Sequence, residues 1–250
     1  MTDYRELMSV AVRAAEAAGE LLRTNARPQI ISDHEHDVKI DADLRAEAVI
    51  IDQIRQQSGA PILTEESGDV AGTSSTDLRW IVDPLDGTYN YFRGIPLAAV
   101  SIAVWRGDSP LIGVVHDFFR NEMFRGVVGE GAWLNDTPIG VRTETSTRSS
   151  VLCTGVPAAD DFSADALIRF ASAFRDYKKV RLVGSAALSL AWLAAGRVDE
   201  YRENNIKLWD VAAGLALVRA AGGSVEMTPS DARHAWKVRA TGAGARTSLL

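Results

Sequence analysis

One segment, Trp-Ile-Val-Asp-Pro-Leu-Asp-Gly-Thr at residues 80–88, limits the possible folds more than any other part of the chain. Its apolar start predicts a strand over residues 79–83. Pro84 has no backbone N–H, so we expect it to stop the ladder pairing of that strand. Gly87 tolerates a left-handed backbone, which lets the chain turn tightly into a helix that begins near Thr88. The segment therefore predicts a strand, a turn and a helix in close succession.

The polar residues of this segment have the chemistry of a metal and phosphate site. Asp83 and Asp86 stand on either side of the proline turn, and two such carboxylates can converge on a hard cation, which prefers oxygen ligands. The N–H groups at the start of a helix attract phosphate. Taken alone, a capped turn in which Asp86 accepts hydrogen bonds from local N–H groups explains the segment equally well.

Two other segments place acids at the ends of predicted elements. The run Ile-Leu-Thr-Glu-Glu-Ser-Gly at residues 62–68 is first apolar and then acidic. The run Leu-Trp-Asp-Val-Ala-Ala-Gly at residues 208–214 puts Asp210 at the start of a helix. Three acidic strand or helix ends suggest a single site at which they converge.

With these motifs the chain resembles the inositol monophosphatase family, within the lithium-sensitive, magnesium-dependent phosphatases. The matching motifs are Asp-Pro-x-Asp-Gly-Thr at 83–88, Glu-Glu-Ser at 65–67 and Trp-Asp-Val-Ala-Ala-Gly at 209–214, in the order found in the family. The likeness extends from about Leu7 to Gly223. It implies a layered α-β-α-β-α sugar-phosphatase-like fold, of mixed α+β and α/β class, with two joined lobes.

Hydrophobic periodicity predicts the elements of each lobe. We expect an N-terminal α+β lobe over residues 1–145 that carries most of the metal ligands, with helices at 6–24 and 41–57 and strands at 61–64, 79–83, 98–105, 111–116 and 122–128. The polar stretch 141–150 marks the boundary. We expect a C-terminal α/β lobe over residues 146–250 that carries the last metal ligand and the specificity residues. Its strands are 151–154, 180–183 and 198–201, and its helices are 164–176, 185–195 and 210–221, the last with a C-cap at 222–223.

Composition argues against several classes of protein. The 250 residues can bury one large core or two joined lobes, and no apolar run is long enough to span a bilayer. The charged N-terminal residues do not resemble a signal peptide, so a cytoplasmic location is the default expectation. The net charge of −6 argues against nucleic acid as a partner, because binding to a phosphate backbone relies on clustered Lys and Arg. The glycine-containing tail, 242–250, is expected to fray.

The resemblance implies a magnesium centre with two ions per site and a third, weaker ion near Glu65. Glu65, Asp83 and the Leu85 carbonyl would hold the first ion, while Asp83, Asp86 and Asp210 would hold the second. Two cations roughly 3.5–4 Å apart can activate a water on one side of a phosphate and stabilise the leaving oxygen on the other. Glu65 is therefore expected to act in catalysis as well as in metal binding.

The attacking water needs a base or an orienting group. The family uses the aspartates of an Asp-x-x-x-x-x-Asp stretch, and the matching residues are Asp37 and Asp43, with Asp43 as the partner of Thr88. Asp43 lies four residues before Glu47 on a predicted helix, and like charges at that spacing cost about 0.2–0.5 kcal/mol. Retention of both acids is explained either by a role in the site or by a solvated acidic face balanced by nearby basic residues.

By the same resemblance, the phosphate rests on the backbone N–H groups of Gly87 and Thr88. The segment Gly184-Ser185-Ala186 matches one that lines the substrate pocket in the family. Glu203 matches the acid that bonds an inositol hydroxyl in true inositol monophosphatases. An exposed loop acid within residues 201–205 explains Glu203 equally well.

These expectations predict a magnesium-dependent phosphomonoesterase that acts on a small phosphorylated polyol, inositol monophosphate first of all, by direct attack of a metal-activated water. Histidinol-phosphate phosphatase and 3′(2′),5′-bisphosphate nucleotidase are the enzyme alternatives within the family. Nucleotidases usually carry Lys-Glu-Phe after the motif threonine, whereas Tyr89-Asn90-Tyr91 stands here and favours the inositol branch. The non-enzyme alternative is a binding partner in an RNA-associated assembly. The resemblance also implies a homodimer and inhibition by lithium.

Two remaining features have simpler explanations than a functional site. The segment His34-Glu35-His36-Asp37 has metal-ligand residue types, but alternating residues in an exposed loop seldom close a tetrahedral zinc site. Cys153 is the single cysteine and stands in an apolar strand candidate, which predicts a buried thiol and not a nucleophile.

Overall fold

The structure, a computed structural model, describes residues 4–25, 28–34, 37–144, 146–155 and 163–243. The helices among them are α1 Tyr4–Thr24, α2 Asp41–Arg55, α3 Thr88–Phe92, α4 Ala164–Asp176, α5 Ala186–Ala194 and α6 Leu208–Ala220. The strands of the first half are β1 Ile30–His34, β2 Asp37–Ile40, β3 Ile62–Thr64, β4 Gly68–Val70, β5 Leu78–Asp86, β6 Ala99–Arg106, β7 Ser109–Asp117, β8 Glu122–Val127, β9 Gly131–Leu134 and β10 Thr137–Ile139. Those of the second half are β11 Val151–Thr154, β12 Lys179–Leu182, β13 Glu200–Lys207, β14 Ser224–Pro229 and β15 Ala235–Thr241.

Helices and sheets alternate as layers. The pair α1 and α2 packs on an eight-stranded sheet of order β10-β9-β8-β7-β6-β5-β3-β4. The pair α5 and α6 packs against this sheet and also against a five-stranded sheet of order β12-β11-β13-β15-β14, which α4 contacts through β12. This arrangement confirms the predicted layered fold of mixed α and β class.

The layers enclose two apolar cores. One core joins α1 and α2 to the eight-stranded sheet, and Trp80 and Ile50 are fully buried in it. The other surrounds α5 and α6 and includes Leu190, Leu217 and Tyr201. Because α5 and α6 contribute almost entirely buried side chains, their sequences are apolar all round and not amphipathic.

The two sheets lie on opposite sides of the predicted boundary in sequence, with the first ending at Ile139 and the second starting at Val151. The helix α6 nevertheless packs on strands of both sheets. The division into lobes 1–145 and 146–250 stays a prediction.

Most predicted elements are confirmed within a few residues. The predicted strand 151–154 and helix 164–176 have the observed bounds of β11 and α4. The meander is confirmed as β6, β7 and β8, and α6 ends as expected, since Gly222 adopts a φ of 88° and donates to the Arg219 carbonyl at 3.1 Å.

Three expectations about the backbone were wrong. Pro84 does not end the pairing of β5, because a bulge after Asp83 absorbs the missing N–H and the ladder with β6 resumes where Asp86 pairs with Ala99. His34 and Asp37, which were expected in an exposed loop before α2, belong to the paired strands β1 and β2. The strand predicted at 198–201 runs from Glu200 to Lys207, because antiparallel pairing with β15 extends it.

Some predictions fall partly outside the described residues. These include Glu35 and His36 of the proposed zinc alternative and residues 244–250 of the tail. Within the described part of the chain, no helix is long and apolar enough to cross a membrane.

Candidate metal centre

The bulged end of β5 presents two buried aspartates. Asp83 and Asp86 are 1% and 7% exposed. Asp83 accepts a hydrogen bond from the Leu85 N–H at 3.0 Å, which tightens the turn around the proline. Gly87 then reverses the chain with a φ of 88°, and a Cβ at this position would lie 2.7 Å from the Leu97 carbonyl oxygen. The turn therefore requires glycine for both its backbone angle and its space.

Glu65 and Asp210 reach Asp83 from two other elements. Glu65 directly follows β3, which pairs in parallel with β5 and ends beside Val82, the residue before Asp83. Asp210 lies in the first turn of α6 and accepts a hydrogen bond from the Lys207 N–H at 3.2 Å, which caps the helix. One carboxylate oxygen from each of Glu65, Asp83 and Asp210 lies within 4.8 Å of the others. The convergence suggested by the three motifs is present in the structure.

Burial and the proximity of other carboxylates raise the pKa values of these acids. Burial, and then the neighbouring Glu66 carboxylate, raises the pKa of Glu65 to about 8. Burial also raises the pKa values of Asp83 and Asp210 well above their usual range, and the surrounding carboxylates add to both shifts. Without a cation the cluster therefore retains protons near neutral pH. The donor set consists of carboxylate oxygens, which suits a hard divalent ion, so this acidic cluster could bind a metal.

Asp86 is not part of this group of three. Its carboxylate accepts hydrogen bonds from the Ser185 hydroxyl and from the Ala187 N–H at 2.9 Å, at the start of α5. A longer contact joins it to the Ala186 N–H at 3.3 Å. Burial raises the pKa of Asp86 to about 6, and these hydrogen bonds oppose the shift. Ser185 and Ala186, expected to line the substrate pocket, are thus seen here orienting an expected metal ligand.

The structure brings Asp43 and Thr88 together. The Thr88 hydroxyl lies 3.3 Å from Asp43 Oδ1 and 2.9 Å from the Leu85 carbonyl oxygen. The other oxygen of Asp43 accepts the Ile40 N–H at 2.8 Å, which holds the carboxylate at the start of α2. Burial raises the pKa of Asp43 to about 7. The side chain of Asp37, its expected companion, lies outside the described residues.

The solvated acidic face proposed as an alternative for α2 is wrong, since Asp43 and Glu47 are only 2% and 4% exposed. Glu47 accepts hydrogen bonds from the Thr64 hydroxyl at 2.6 Å and from both the N–H and the hydroxyl of Ser67, at 3.0 and 2.8 Å. It therefore fixes both ends of the turn that carries Glu65. Sequence reasoning missed this role, although the close spacing of the two acids was a signal of it.

A second residue overlooked in the sequence is Asn90. Its side-chain amide donates to the Leu97 carbonyl at 2.9 Å, the Val183 carbonyl at 3.0 Å and the Gly184 carbonyl at 3.2 Å. These bonds join the helix after the motif threonine to the turn before α5. Gly184 has a φ of 70°, and a Cβ there would lie 2.9 Å from the same amide. Asn90 thus fixes the segment that holds Asp86.

Glu203 is not an exposed loop acid, because it lies within β13 and is half-buried. It accepts a hydrogen bond from the Tyr201 hydroxyl at 2.8 Å, and the electrostatic influence of Glu203 helps to raise the pKa of Asp210. A Cβ on Gly155 would lie 2.5 Å from its carboxylate. Cys153 is buried, as predicted, and burial raises its pKa to about 11.

The fold and the cluster together define a layered α/β protein with a carboxylate metal site at the ends of its strands. The model of one family, described as the inositol monophosphatase family, matches residues 3–246. The chain belongs to the inositol monophosphatase family.

Individual relatives agree with this membership. Nus factor SuhB of Escherichia coli (strain K12) is 40% identical over 225 residues, which are 88% of this chain and 84% of that protein. The structure of inositol monophosphatase from Anabaena (Nostoc) sp. PCC 7120 has a TM-score of 0.84 at 35% identity, over 97% of this chain and 93% of that chain. Extragenic suppressor protein suhB from Bartonella henselae has a TM-score of 0.86 at 33% identity, over 95% and 94%. One of these relatives is named as an enzyme, inositol monophosphatase, and another as a Nus factor.

Proposed function

We propose that the protein is a magnesium-dependent phosphomonoesterase that hydrolyses a small phosphorylated polyol, with inositol monophosphate as the favoured substrate. The observation that carries this proposal is the meeting of Glu65, Asp83 and Asp210 within 4.8 Å. The buried pair of Asp43 and Thr88 supports it, because hydrolysis also needs a group that orients water.

The proposed metal ligands are the carboxylates of Glu65, Asp83, Asp86 and Asp210 and the carbonyl of Leu85, for two or three magnesium ions. Bound there, the ions would lower the pKa of a water and stabilise charge on the phosphate and the leaving oxygen. The pKa values of these acids are raised first by burial and then by neighbouring carboxylates, and this supports the proposal, since a divalent cation compensates the buried charge that otherwise keeps protons on them. Asp86 would have to share its carboxylate between the metal and the start of α5.

The chain's own groups would prepare the attack. The Thr88 hydroxyl can donate to Asp43 and accept from a water, so the pair would orient that water and take up its proton. A pKa of about 7 suits Asp43 to proton transfer near neutral pH. The N–H groups of Gly87 and Thr88 would hold the phosphate. Glu203, which accepts from the Tyr201 hydroxyl, would also bind a hydroxyl of the leaving group.

The test is phosphate release from inositol phosphates, histidinol phosphate and 3′-phosphoadenosine 5′-phosphate, with magnesium and with chelator. We expect magnesium-dependent turnover of an inositol monophosphate. Asp210→Asn should lower it by at least about a hundredfold, because loss of a residue that only orients a metal ligand already costs about 10–100-fold. The matched control is Asp136→Asn. The Asp136 carboxylate is outside the cluster and pairs with Arg125 at 3.1 Å. Preference for another compound would assign the protein to another branch of the family.

The non-enzyme alternative, a binding partner in an RNA-associated assembly, is kept because relatives carry the name Nus factor. Their likeness weakens the expectation, made from charge alone, that nucleic acid is not a partner. Folded protein that binds magnesium and hydrolyses none of the compounds would favour this alternative. A homodimer, inhibition by lithium and a cytoplasmic location remain predictions of the family resemblance and of the sequence.

A further inference from the structure

An ion pair between Lys39 and Glu66 lies next to the acidic cluster. Lys39 Nζ donates to Glu66 Oε2 at 2.8 Å, which joins β2 to the turn after β3. Glu66 directly follows Glu65 in the chain, and its side chain is only 5% exposed. An ionised carboxylate at this depth requires a partner. Among the described residues, Lys39 is the cation that pairs with it.

Other contacts already hold the turn that carries Glu66. Glu47 accepts hydrogen bonds from the hydroxyls of Thr64 and Ser67, on either side of the two acids. It also accepts the Ser67 N–H at 3.0 Å. Lys39 is itself held in the hairpin of β1 and β2. The main contribution of Lys39 to this turn is therefore its positive charge.

The charges of this ion pair act on the neighbouring acids. Burial raises the pKa of Glu65 and of Asp43, the carboxylate of Glu66 adds to both shifts, and the ammonium of Lys39 opposes both. A divalent ion at Glu65 would experience the same two charges, because Glu66 would attract it and Lys39 would repel it.

We propose that Lys39 sets the strength of magnesium binding at Glu65 by offsetting the negative charge of Glu66. The inference rests on the proposed function, which places a magnesium ion at Glu65. Without Lys39, the uncompensated carboxylate of Glu66 would attract the ion more strongly. Without Glu66, the ammonium of Lys39 would repel it. The ion pair keeps the affinity between these limits, so that the bound ion can still exchange with solvent.

The test is isothermal titration of chelator-treated protein with magnesium at pH 9, so that protons compete less for the carboxylates. Lys39→Met should lower the Kd for magnesium by about three- to fivefold, and Glu66→Gln should raise it by a similar factor, as expected for charges that solvent partly screens. The double variant Lys39→Met Glu66→Gln should return close to the natural Kd. Lys39→Arg keeps the charge and should differ little from the natural protein.

The matched control is Arg106→Met, which should leave the Kd unaltered. Arg106 pairs with Asp77 at 3.0 Å, and Asp77 precedes β5 at the end of the strand opposite Asp83. The control therefore removes the cation of another ion pair far along the strand from the cluster.

A purely structural role of Lys39 predicts the opposite sign. Lys39→Met would then weaken magnesium binding, and the double variant would bind no better than Glu66→Gln. Either result, or an unaltered Kd in folded Lys39→Met, would overturn the proposal. If Lys39→Met does not fold, the double variant must still bind magnesium more tightly than Glu66→Gln does.

Phosphate release is measured separately on the same proteins. The expected pattern of Kd values without turnover of any phosphate ester would support the role of Lys39 and count against the proposed phosphatase function alone. Turnover without the expected pattern would count against the role of Lys39 alone. Absence of magnesium binding by the natural protein would overturn both.

Discussion

The carboxylate of Glu47 holds Ser67 by two hydrogen bonds, at 3.0 Å from its N–H and at 2.8 Å from its hydroxyl. With the bond from Thr64 at 2.6 Å, the same side chain fixes the chain on both sides of Glu65. Buried partners of this kind orient the groups that bind a metal.

We therefore predict that Glu47→Gln weakens apparent magnesium affinity by about 10-fold or more, the effect usual for a partner that orients a ligand. The maximal rate at saturating magnesium should fall less, because Glu47 acts through its hydrogen bonds to Thr64 and Ser67. Phosphate release measured against magnesium concentration separates the two effects. Glu130→Gln, on the surface near Arg5, is the control. An unaltered magnesium curve in Glu47→Gln would show that the turn is held by other contacts.

Catalytic activity should depend on the hydroxyl of Thr88 and not on its methyl group. Thr88→Val removes the donor to Asp43 and to the Leu85 carbonyl, and we expect activity to fall by about a hundredfold, the lower range for lost acid–base assistance. Thr88→Ser keeps the hydroxyl and should retain most activity. Initial rates with saturating magnesium test the pair. Similar rates in both variants would exclude the hydroxyl from catalysis.

The metal-free protein should lose stability as pH rises through the neutral range. Folding raises the pKa of Asp86 to about 6, of Asp43 to about 7 and of Glu65 to about 8. Native protein therefore binds more protons than unfolded protein between the ordinary carboxyl pKa and these values, so its stability is greatest below that window and declines across it. Calorimetry in chelator at pH 5.5, 7 and 8.5 should show a falling Tm, and magnesium should flatten the trend. A Tm that rises with pH in chelator would contradict the prediction.

Gly87 and Gly94 offer a matched test of backbone geometry. Both have positive φ, at 88° and 69°, but a Cβ at Gly87 would meet the Leu97 carbonyl at 2.7 Å, whereas nothing lies within 4 Å of one at Gly94. Alanine at either position costs conformational energy, and only Gly87→Ala adds a clash with backbone. Denaturant unfolding should show the larger destabilisation for Gly87→Ala, together with loss of metal binding. Equal effects would mean that the β5 turn relaxes around the new side chain.

The sequence predicted those parts of the molecule that depend on local pattern. The apolar run before Asp83 was sufficient to predict the strand. The glycine at position 87 was sufficient to predict the turn and the start of the helix. Pairing of Asp86 with Ala99 was not predictable, since a bulge forms only where the backbone groups of the neighbouring strand can resume the ladder after it. The hydrogen bonds of Asp86 to α5 and of Glu47 to Ser67 join residues far apart in the chain. Such contacts leave little trace in periodicity or motif spacing.

The last motif of the site lies in α6, a helix that packs against both sheets. A growing polypeptide that has not yet reached Asp210 contains the other two acids of the cluster but lacks both the third carboxylate and the helix that covers the first sheet. Metal binding by all three carboxylates would therefore have to wait until α6 has been synthesised. A chain that stops before Asp210 would carry only two of the three acidic motifs.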